Sequence, residues 1–212
     1  MAQIVLDVQS PPSTPSAGVA IGYFDTRTKK FKTRDDAGVE SILGDVVAQS
    51  VANQTGFSTD TYMTGSPVAI PNSLVRVGTA YRFKFDMVKT AAGTATPIFV
   101  VRFGTAGTTA DTARLTFTFG AGTAAIDTGL IDITAYFRVA GASATMVGIA
   151  RISHHLAATG LTSTGASGNG IILATAAAFD ATVANSIIGV SFNGGASFAG
   201  TNTFQQATLR NV

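Results

Sequence analysis

Apolar and polar residues alternate along much of the chain after residue 66, and this period of two is typical of antiparallel strands with one buried face. One alternating segment sets Tyr81, Phe83, Phe85 and Met87 against Arg82, Lys84 and Asp86. Another sets Ile131, Ile133, Ala135, Phe137 and Val139 against Asp132, Thr134, Tyr136 and Arg138. Each pattern predicts a strand whose apolar side faces a core.

Further segments rich in β-branched and aromatic residues are also predicted strands. They cover residues 68–71, 98–103, 114–119, 145–154, 186–192 and 203–209. Glycine-rich connections separate the segments, and the connections show no helical period. About eight strands of this kind predict an antiparallel jelly-roll β-sandwich over residues 66–212. We therefore expect an all-β protein.

The first 17 residues have a different composition. Ile4, Val5 and Leu6 are followed by a stretch that contains Pro11, Pro12 and Pro15. Proline disfavours helix and favours an extended, polyproline-like backbone. Residues 1–17 are therefore predicted to form an extended arm that cannot fold alone and lies on a partner.

Residues 18–46 contain three short strand-like runs, 18–25, 30–34 and 39–43, separated by polar turn signals. A β-meander of this size buries too little apolar surface to stand alone, so we expect it to pack against copies of itself or against another surface. Residues 47–65 are predicted to be a linker. Within this region, residues 45–53 are predicted to form a short helix.

Charge is scarce. Asp, Glu, Lys and Arg make up 12% of the residues, whereas an ordinary soluble domain carries about 25%. Residues 141–212 contain only Arg151, Asp180 and Arg210 as charged residues, yet they are too apolar to be disordered. Uncharged, strand-rich surfaces associate readily. The sequence therefore predicts a homo-oligomer in which sibling copies cover much of this surface.

Neither disulfides nor a membrane span are expected. The chain has no cysteine, and no apolar run approaches the roughly 20 residues that cross a bilayer. The first ten residues lack the basic start and apolar stretch of a signal peptide. We expect a soluble protein that is made in the cytoplasm and does not contact membranes.

The residues that commonly carry catalysis are sparse. His154 and His155 are the only histidines, and neighbours in a strand point to opposite faces. Ser153 lies beside them without a nucleophile-elbow pattern, and no pair of carboxylates is singled out for glycoside cleavage. We expect no enzymatic activity and no cofactor. One histidine per chain, meeting its copies at a threefold axis, is an alternative that would bind a metal or an anion.

The segment 27–34 holds five of the fourteen basic residues. Lys30, Lys32 and Arg34 share one predicted strand face, while Phe31 lies on the other. Basic and aromatic strands can bind single-stranded nucleic acid. Since the net charge is only +2, an acidic protein surface is the preferred partner, and we expect no nucleic acid.

Two regions carry a resemblance to a known class of protein. Residues 10–18, 23–25, 29–32 and 35–38 resemble the N-terminal module of tailed-bacteriophage fibre and structural proteins. Residues 81–85, 89–95 and 102–113 look like virion proteins with a C-terminal jelly roll. The resemblance implies a virion-surface protein, made in the bacterial host, whose N-terminal part attaches to the major capsid protein or another virion protein and whose β domain projects as a homotrimer.

The arm and the meander supply the predicted partner-binding residues. They are Ile4, Val5, Leu6, Pro11, Pro12, Pro15, Tyr23, Phe24, Lys30, Lys32 and Arg34. A capsid decoration, cement or head-fibre protein is the preferred placement. The alternative is a tail-fibre or baseplate protein that recognises host surface glycans through loops 161–170 and 193–200, although these loops offer only Phe198 as a stacking aromatic. A glycan depolymerase is a third placement, which the missing carboxylate pair disfavours.

Overall fold

The computed structural model describes residues 8–9, 13–19, 21–25, 31–34, 40–42, 46–70, 75–90, 93–156, 159–163 and 169–210. All regular secondary structure in these ranges is strand, so the all-β fold class is confirmed. The same ranges hold no helix that could cross a membrane. The chain divides into two compact units, Met1–Asp45 and Val46–Val212.

In the described residues of the first unit, four strands form a sheet in the order β1-β2-β3-β4. Its strands are β1 (Val8–Gln9), β2 (Ile21–Asp25), β3 (Phe31–Arg34) and β4 (Glu40–Ile42). The last three pair antiparallel, which confirms the predicted meander. The arm contributes β1, which pairs in parallel with Phe24 and Asp25 of β2.

In its described residues, the second unit consists of twelve strands in two sheets. They are β5 (Val46–Ser50), β6 (Thr61–Tyr62), β7 (Val68–Ile70), β8 (Ala80–Lys89), β9 (Ile98–Gly104), β10 (Thr112–Thr118), β11 (Asp127–Val139), β12 (Thr145–His154), β13 (Asn169–Thr175), β14 (Ser186–Asn193), β15 (Gly200–Thr201) and β16 (Gln205–Arg210). The five-stranded sheet has the order β10-β9-β14-β6, with β7 also on β14. The seven-stranded sheet has the order β13-β12-β11-β8-β16-β5, with β15 also on β8.

The chain passes between the two sheets so that an antiparallel strand pair in one sheet is connected to an antiparallel strand pair in the other. β8 and β16 are antiparallel neighbours in the seven-stranded sheet, and β9 and β14 are antiparallel neighbours in the five-stranded sheet. The chain crosses from β8 to β9 and returns after β14 to β16, so both pairs wrap around one core. This is the winding of a jelly roll, and the predicted β-sandwich is confirmed.

The core lies between the inner faces of the two sheets. Tyr81, Phe83, Phe85 and Met87 of β8 are at most 1% exposed, as their alternation predicts. On the opposite side of the core, in the five-stranded sheet, Phe99 of β9 stacks on Phe192 of the neighbouring strand β14 with 4.6 Å between ring centroids. Offset aromatic pairs of this kind stabilise a core by about 0.5–1.5 kcal/mol beyond their buried area.

The predicted apolar face of β11 is wrong at its last residue. Val139 is 45% exposed, although Ile131, Ile133, Ala135 and Phe137 are all buried. The pairing of β11 with β12 shifts register between Phe137 and Val139. Such a bulge adds one residue to the strand and turns the following side chains to the other face.

Residues 46–65 belong to the sandwich. The helix predicted over residues 45–53 is wrong, since Val46–Ser50 is a strand that pairs antiparallel with β16. Residues 47–65, predicted as a linker, also contain β6, which pairs with β14. Residues 46–50 form a strand because they pair with β16 and so extend the hydrogen-bonded ladder at the edge of a large sheet. The boundary between the units accordingly falls between Asp45 and Val46.

Candidate functional site

The structure covers only part of the predicted partner-binding set. Ile4, Val5, Leu6, Pro11, Pro12 and Lys30 lie outside the described residues. Phe24 lies in β2, and Pro15 is half-buried in the segment between β1 and β2. Partner binding by these residues stays a prediction.

Tyr23 and Lys32 are directly opposite each other on β2 and β3. Both are buried, with Lys32 only 8% exposed, which differs from the open basic face that the alternation of β3 predicts. Arg34 is half-buried, and its Nη2 donates a hydrogen bond to Oγ1 of Thr14 at 3.3 Å. The meander therefore holds part of the arm through Arg34, and binding of an acidic partner by Lys32 stays a prediction.

The large apolar residues of the loops predicted to bind sugars, Leu161 and Phe198, are buried. Leu161 is buried, and Phe198 packs edge-on against Phe192 with 5.3 Å between ring centroids. Residues 164–168 of the first loop lie outside the described residues. Phe198, the one aromatic of these two loops, is thus a core residue and offers no stacking surface.

A cavity of about 430 Å³ lies instead on the outer face of the seven-stranded sheet, where β8, β11 and β12 are neighbours. Its lining residues are Gly78, Ala80, Arg82, Asp132, Thr134, Tyr136, Ile149 and Arg151. These side chains share one face because strand residues two apart point to the same side and paired residues of antiparallel strands lie opposite each other. Sites for small molecules have volumes of roughly 300–1,000 Å³.

Arg82 and Asp132 form an ion pair in the wall of this cavity. Nε of Arg82 donates to Oδ1 of Asp132 at 2.8 Å, and Nη2 donates to Oδ2, so the pair is bidentate. The hydrogen bond to Asp132 is the main reason that the pKa of Arg82 is raised above its ordinary value. The pair fixes the Asp132 carboxylate while leaving it partly exposed to the cavity.

Two other groups in the cavity wall are Tyr136 and Arg151. Tyr136 is 41% exposed, and Arg151 is also exposed. Within the part of the chain that the structure describes, neither side chain makes a hydrogen bond or an ion pair. Arg151 lies opposite Asp132 on the neighbouring strand. The cavity thus combines an aromatic ring, an unpaired guanidinium and an anchored carboxylate.

A second polar cluster lies inside the sandwich, where β8 and β12 end and β11 begins. Asp127 and His154 are buried, and Nδ1 of His154 lies 2.7 Å from Oδ2 of Asp127. The same carboxylate accepts hydrogen bonds from the backbone N–H of Leu161 at 2.9 Å and of Leu156 at 3.1 Å. Burial alone raises the pKa of Asp127, but these hydrogen bonds outweigh it and hold the pKa below its ordinary value near 3.8.

Lys89 completes this cluster. It lies opposite Asp127 on β8 and is buried, and its Nζ donates to the carbonyl oxygens of Thr123 at 2.5 Å and Ala125 at 3.2 Å. Burial is the main reason that its pKa is lowered. The cluster holds residues 123–127, 154–156 and 160–161 against one end of the sheet, which is a structural role.

The described residues do not assemble the candidate catalytic site, and a metal site at a threefold axis stays a prediction. Ser153 is exposed, while the neighbouring His154 is buried and turned to the opposite face, so no serine-histidine-carboxylate triad forms there. Over the described ranges, no three His, Asp or Glu side chains are grouped to hold a metal. A histidine shared at a threefold axis would have to be His155, because the side chain of His154 has no solvent-exposed surface.

Sequence reasoning missed the outer-face cavity. The alternation identifies Arg82, Asp132 and Tyr136 as residues of polar strand faces, but it does not show which strands are adjacent or in which register they pair. The signal that could have found the cavity is the unusual charge of this face, because Arg151 is one of only three charged residues after residue 140.

No family model and no curated protein matches the chain. Among solved structures, the chain is similar to the lectin UEA-II in complex with galactose, with 12% sequence identity and a TM-score of 0.36. The match covers 92% of this chain and 100% of the lectin chain. A likeness this weak carries no argument about the ligand of this protein.

Proposed function

We propose that the protein is a non-catalytic structural component of a tailed-bacteriophage virion. Its N-terminal unit attaches to the major capsid protein or another virion protein, and its β-sandwich projects as part of a homotrimer. The observation that carries the proposal is the division of the chain into a small strand unit, Met1–Asp45, and a large sandwich, Val46–Val212. Decoration, cement or head-fibre proteins of the capsid are the placement that we favour.

The first unit is suited to strand addition. β4 lies at the other edge of this sheet, and among the described residues it pairs only with β3. An open strand edge gains backbone hydrogen bonds when another chain adds a strand to it. A sheet this small also gains stability by burying its faces against a host surface.

The sandwich is suited to contact with copies of itself. Ile171 and Leu173 of β13, an edge strand of the seven-stranded sheet, are 63% and 69% exposed. β13 carries no charged residue, whereas edge strands that stay single commonly carry lysine or proline. Copies joined in this way present several N-terminal units together, and their weak contacts combine multivalently.

Deletion of residues 1–17 tests the attachment. We expect the truncated protein to remain a folded oligomer by circular dichroism and light scattering but to stop co-sedimenting with particles that lack the native protein. Arg151→Gln is the matched control, because it changes only the projecting unit and should dock like the native protein. Undiminished docking of the truncated protein would refute the role of the arm.

A second placement, a tail-fibre or baseplate protein that recognises host surface glycans, is supported by the cavity that contains Tyr136 and Arg151. Immunogold labelling of intact virions separates the two placements. Labelling over the capsid shell supports decoration, and labelling confined to the tail tip supports receptor binding.

A further inference from the structure

We propose that the cavity on the outer face of the seven-stranded sheet binds an acidic saccharide, a sugar ring that carries a carboxylate. The inference deepens the glycan-recognising placement and does not depend on how the N-terminal unit attaches. It is carried by the charges, the aromatic ring and the size of this cavity.

The charge of this face favours an anion. Its described cationic side chains, Arg82, Lys84 and Arg151, outnumber its carboxylates, Asp86 and Asp132, by one. Arg82 is already neutralised by Asp132. Arg151 lies opposite Asp132 without a partner of its own among the described residues, so one guanidinium is left for the ligand. Guanidinium binds a carboxylate in a bidentate, charge-assisted manner.

The rest of the wall favours a sugar over a simple anion. The exposed ring of Tyr136 offers a flat apolar surface beside the polar groups, and sugars present C–H groups on the faces of their rings. Asp132, held in place by Arg82, can accept hydrogen bonds from sugar hydroxyls. The same carboxylate repels a doubly charged phosphate more than a singly charged carboxylate, since repulsion scales with the charge.

The dimensions agree with this ligand. A volume of about 430 Å³ is at the lower end of small-molecule sites. The lining is shallow β-sheet surface with only one aromatic ring, so a single chain is expected to bind weakly. Several copies on one particle would raise the effective affinity without new contacts.

Binding is measured by titration of the purified full chain, with backbone NMR shifts of the residues around Tyr136 and Arg151 as the readout. The probes are trigalacturonate and sialyllactose, each compared with its carboxyl-reduced neutral form, and inorganic phosphate. We expect at least one acidic saccharide to shift these resonances and to bind about tenfold more tightly than its neutral form, because the neutral form lacks the charged partner of Arg151.

Two variants test whether the saccharide binds in the cavity. Arg151→Gln should weaken acidic-saccharide binding about tenfold, and Tyr136→Ala should weaken the acidic and the neutral form together. Arg138→Gln is the matched control, since it removes the same charge from an exposed arginine that does not line the cavity, and it should bind as the native protein does.

Several results would overturn the proposal. These are binding of neither acidic probe, equal binding of the neutral forms, displacement of the saccharide by phosphate at equal concentration, or loss of binding in Arg138→Gln equal to that in Arg151→Gln. Self-association that Tyr136→Ala abolishes would assign the cavity to a second copy of the chain. Particle docking of the Arg151→Gln variant remains informative in each case, so failure of this proposal leaves the attachment role testable.

Discussion

The two faces of the seven-stranded sheet are made by the same strands and have opposite character. On β8 and β11, the inward residues Phe83 and Ile133 are fully buried, while Arg82 and Asp132, each one position along, form an ion pair on the outer face. The inner face follows the apolar pattern and holds the fold. The outer face is free of that constraint, and it carries the charges and the aromatic ring that a ligand could use. Buried apolar side chains and exposed polar side chains are thus separated by a single residue step.

Phe137→Ala should have the largest effect, because it truncates the centre of the inner face. The ring of Phe137 lies 6.3 Å from those of Tyr81 and Phe103 and 6.1 Å from that of Phe179, between ring centroids. We expect the free energy of unfolding to fall by about 3–5 kcal/mol, from lost burial and the cavity left behind.

Tyr136→Ala is the matched control for this variant, since it removes a ring of similar size from the outer face of the same strand. It should cost well under half as much, because Tyr136 is exposed. Urea unfolding of both variants measures the difference. Equal costs would contradict the division into a structural and a functional face.

The inner faces could be read from the sequence, because a period of two in residues such as Phe83 and Ile133 has one physical explanation, burial on one side of a strand. The alternation of apolar residues did not predict the structure correctly where strand pairing, rather than burial, determines it. The strand β5 has three exposed positions and gains its structure from the ladder with β16, so its sequence could be mistaken for a helix. Val139 is displaced by a bulge that alternation does not encode.

The candidate site was harder to predict than the fold. Arg82 and Asp132 are 50 residues apart, and their contact depends on the register between β8 and β11. Asp127 and His154 meet through the register between β11 and β12 in the same way. Register depends on the side-chain packing of whole strands, and no local motif specifies it. Sequence therefore indicated which residues are polar but not which of them meet.

Asp127→Asn should lower the free energy of unfolding by an intermediate amount. It tests the comparison of the two faces because Asp127 is a charged residue on the inner side of β11. The amide keeps the shape of the side chain but has no charge. Its NH2 group cannot accept a hydrogen bond, whereas both carboxylate oxygens accept, one from the N–H of Leu156 and the other, beside His154, from the N–H of Leu161. We expect a loss of about 1–3 kcal/mol at pH 7.

The pH dependence of this variant has a defined sign. The pKa of Asp127 is lower in the folded protein than its ordinary value near 3.8, so ionised Asp127 stabilises the fold above that value. This contribution is lost as the pH falls through the lower, folded pKa. The gap between native protein and Asp127→Asn should therefore narrow on acidification below about pH 4 in urea unfolding experiments. A gap that widens would show that Asp127 is not stabilising as an anion.

Arg82→Gln should have the smallest effect, because it breaks an ion pair on the outer face. Its bidentate geometry is favourable, but water can replace the lost hydrogen bonds, since both side chains are partly exposed. We expect a cost of about 0.2–1 kcal/mol at low salt, and a smaller cost at 1 M salt, where the Debye length falls to about 3 Å. A double-mutant cycle with Asp132→Asn, measured by urea unfolding, isolates the interaction of the pair. A coupling as large as the effect of Asp127→Asn would show that the outer pair is held as tightly as the inner cluster. The outer face would then be part of the structural framework, and its charges would not be free to serve a ligand.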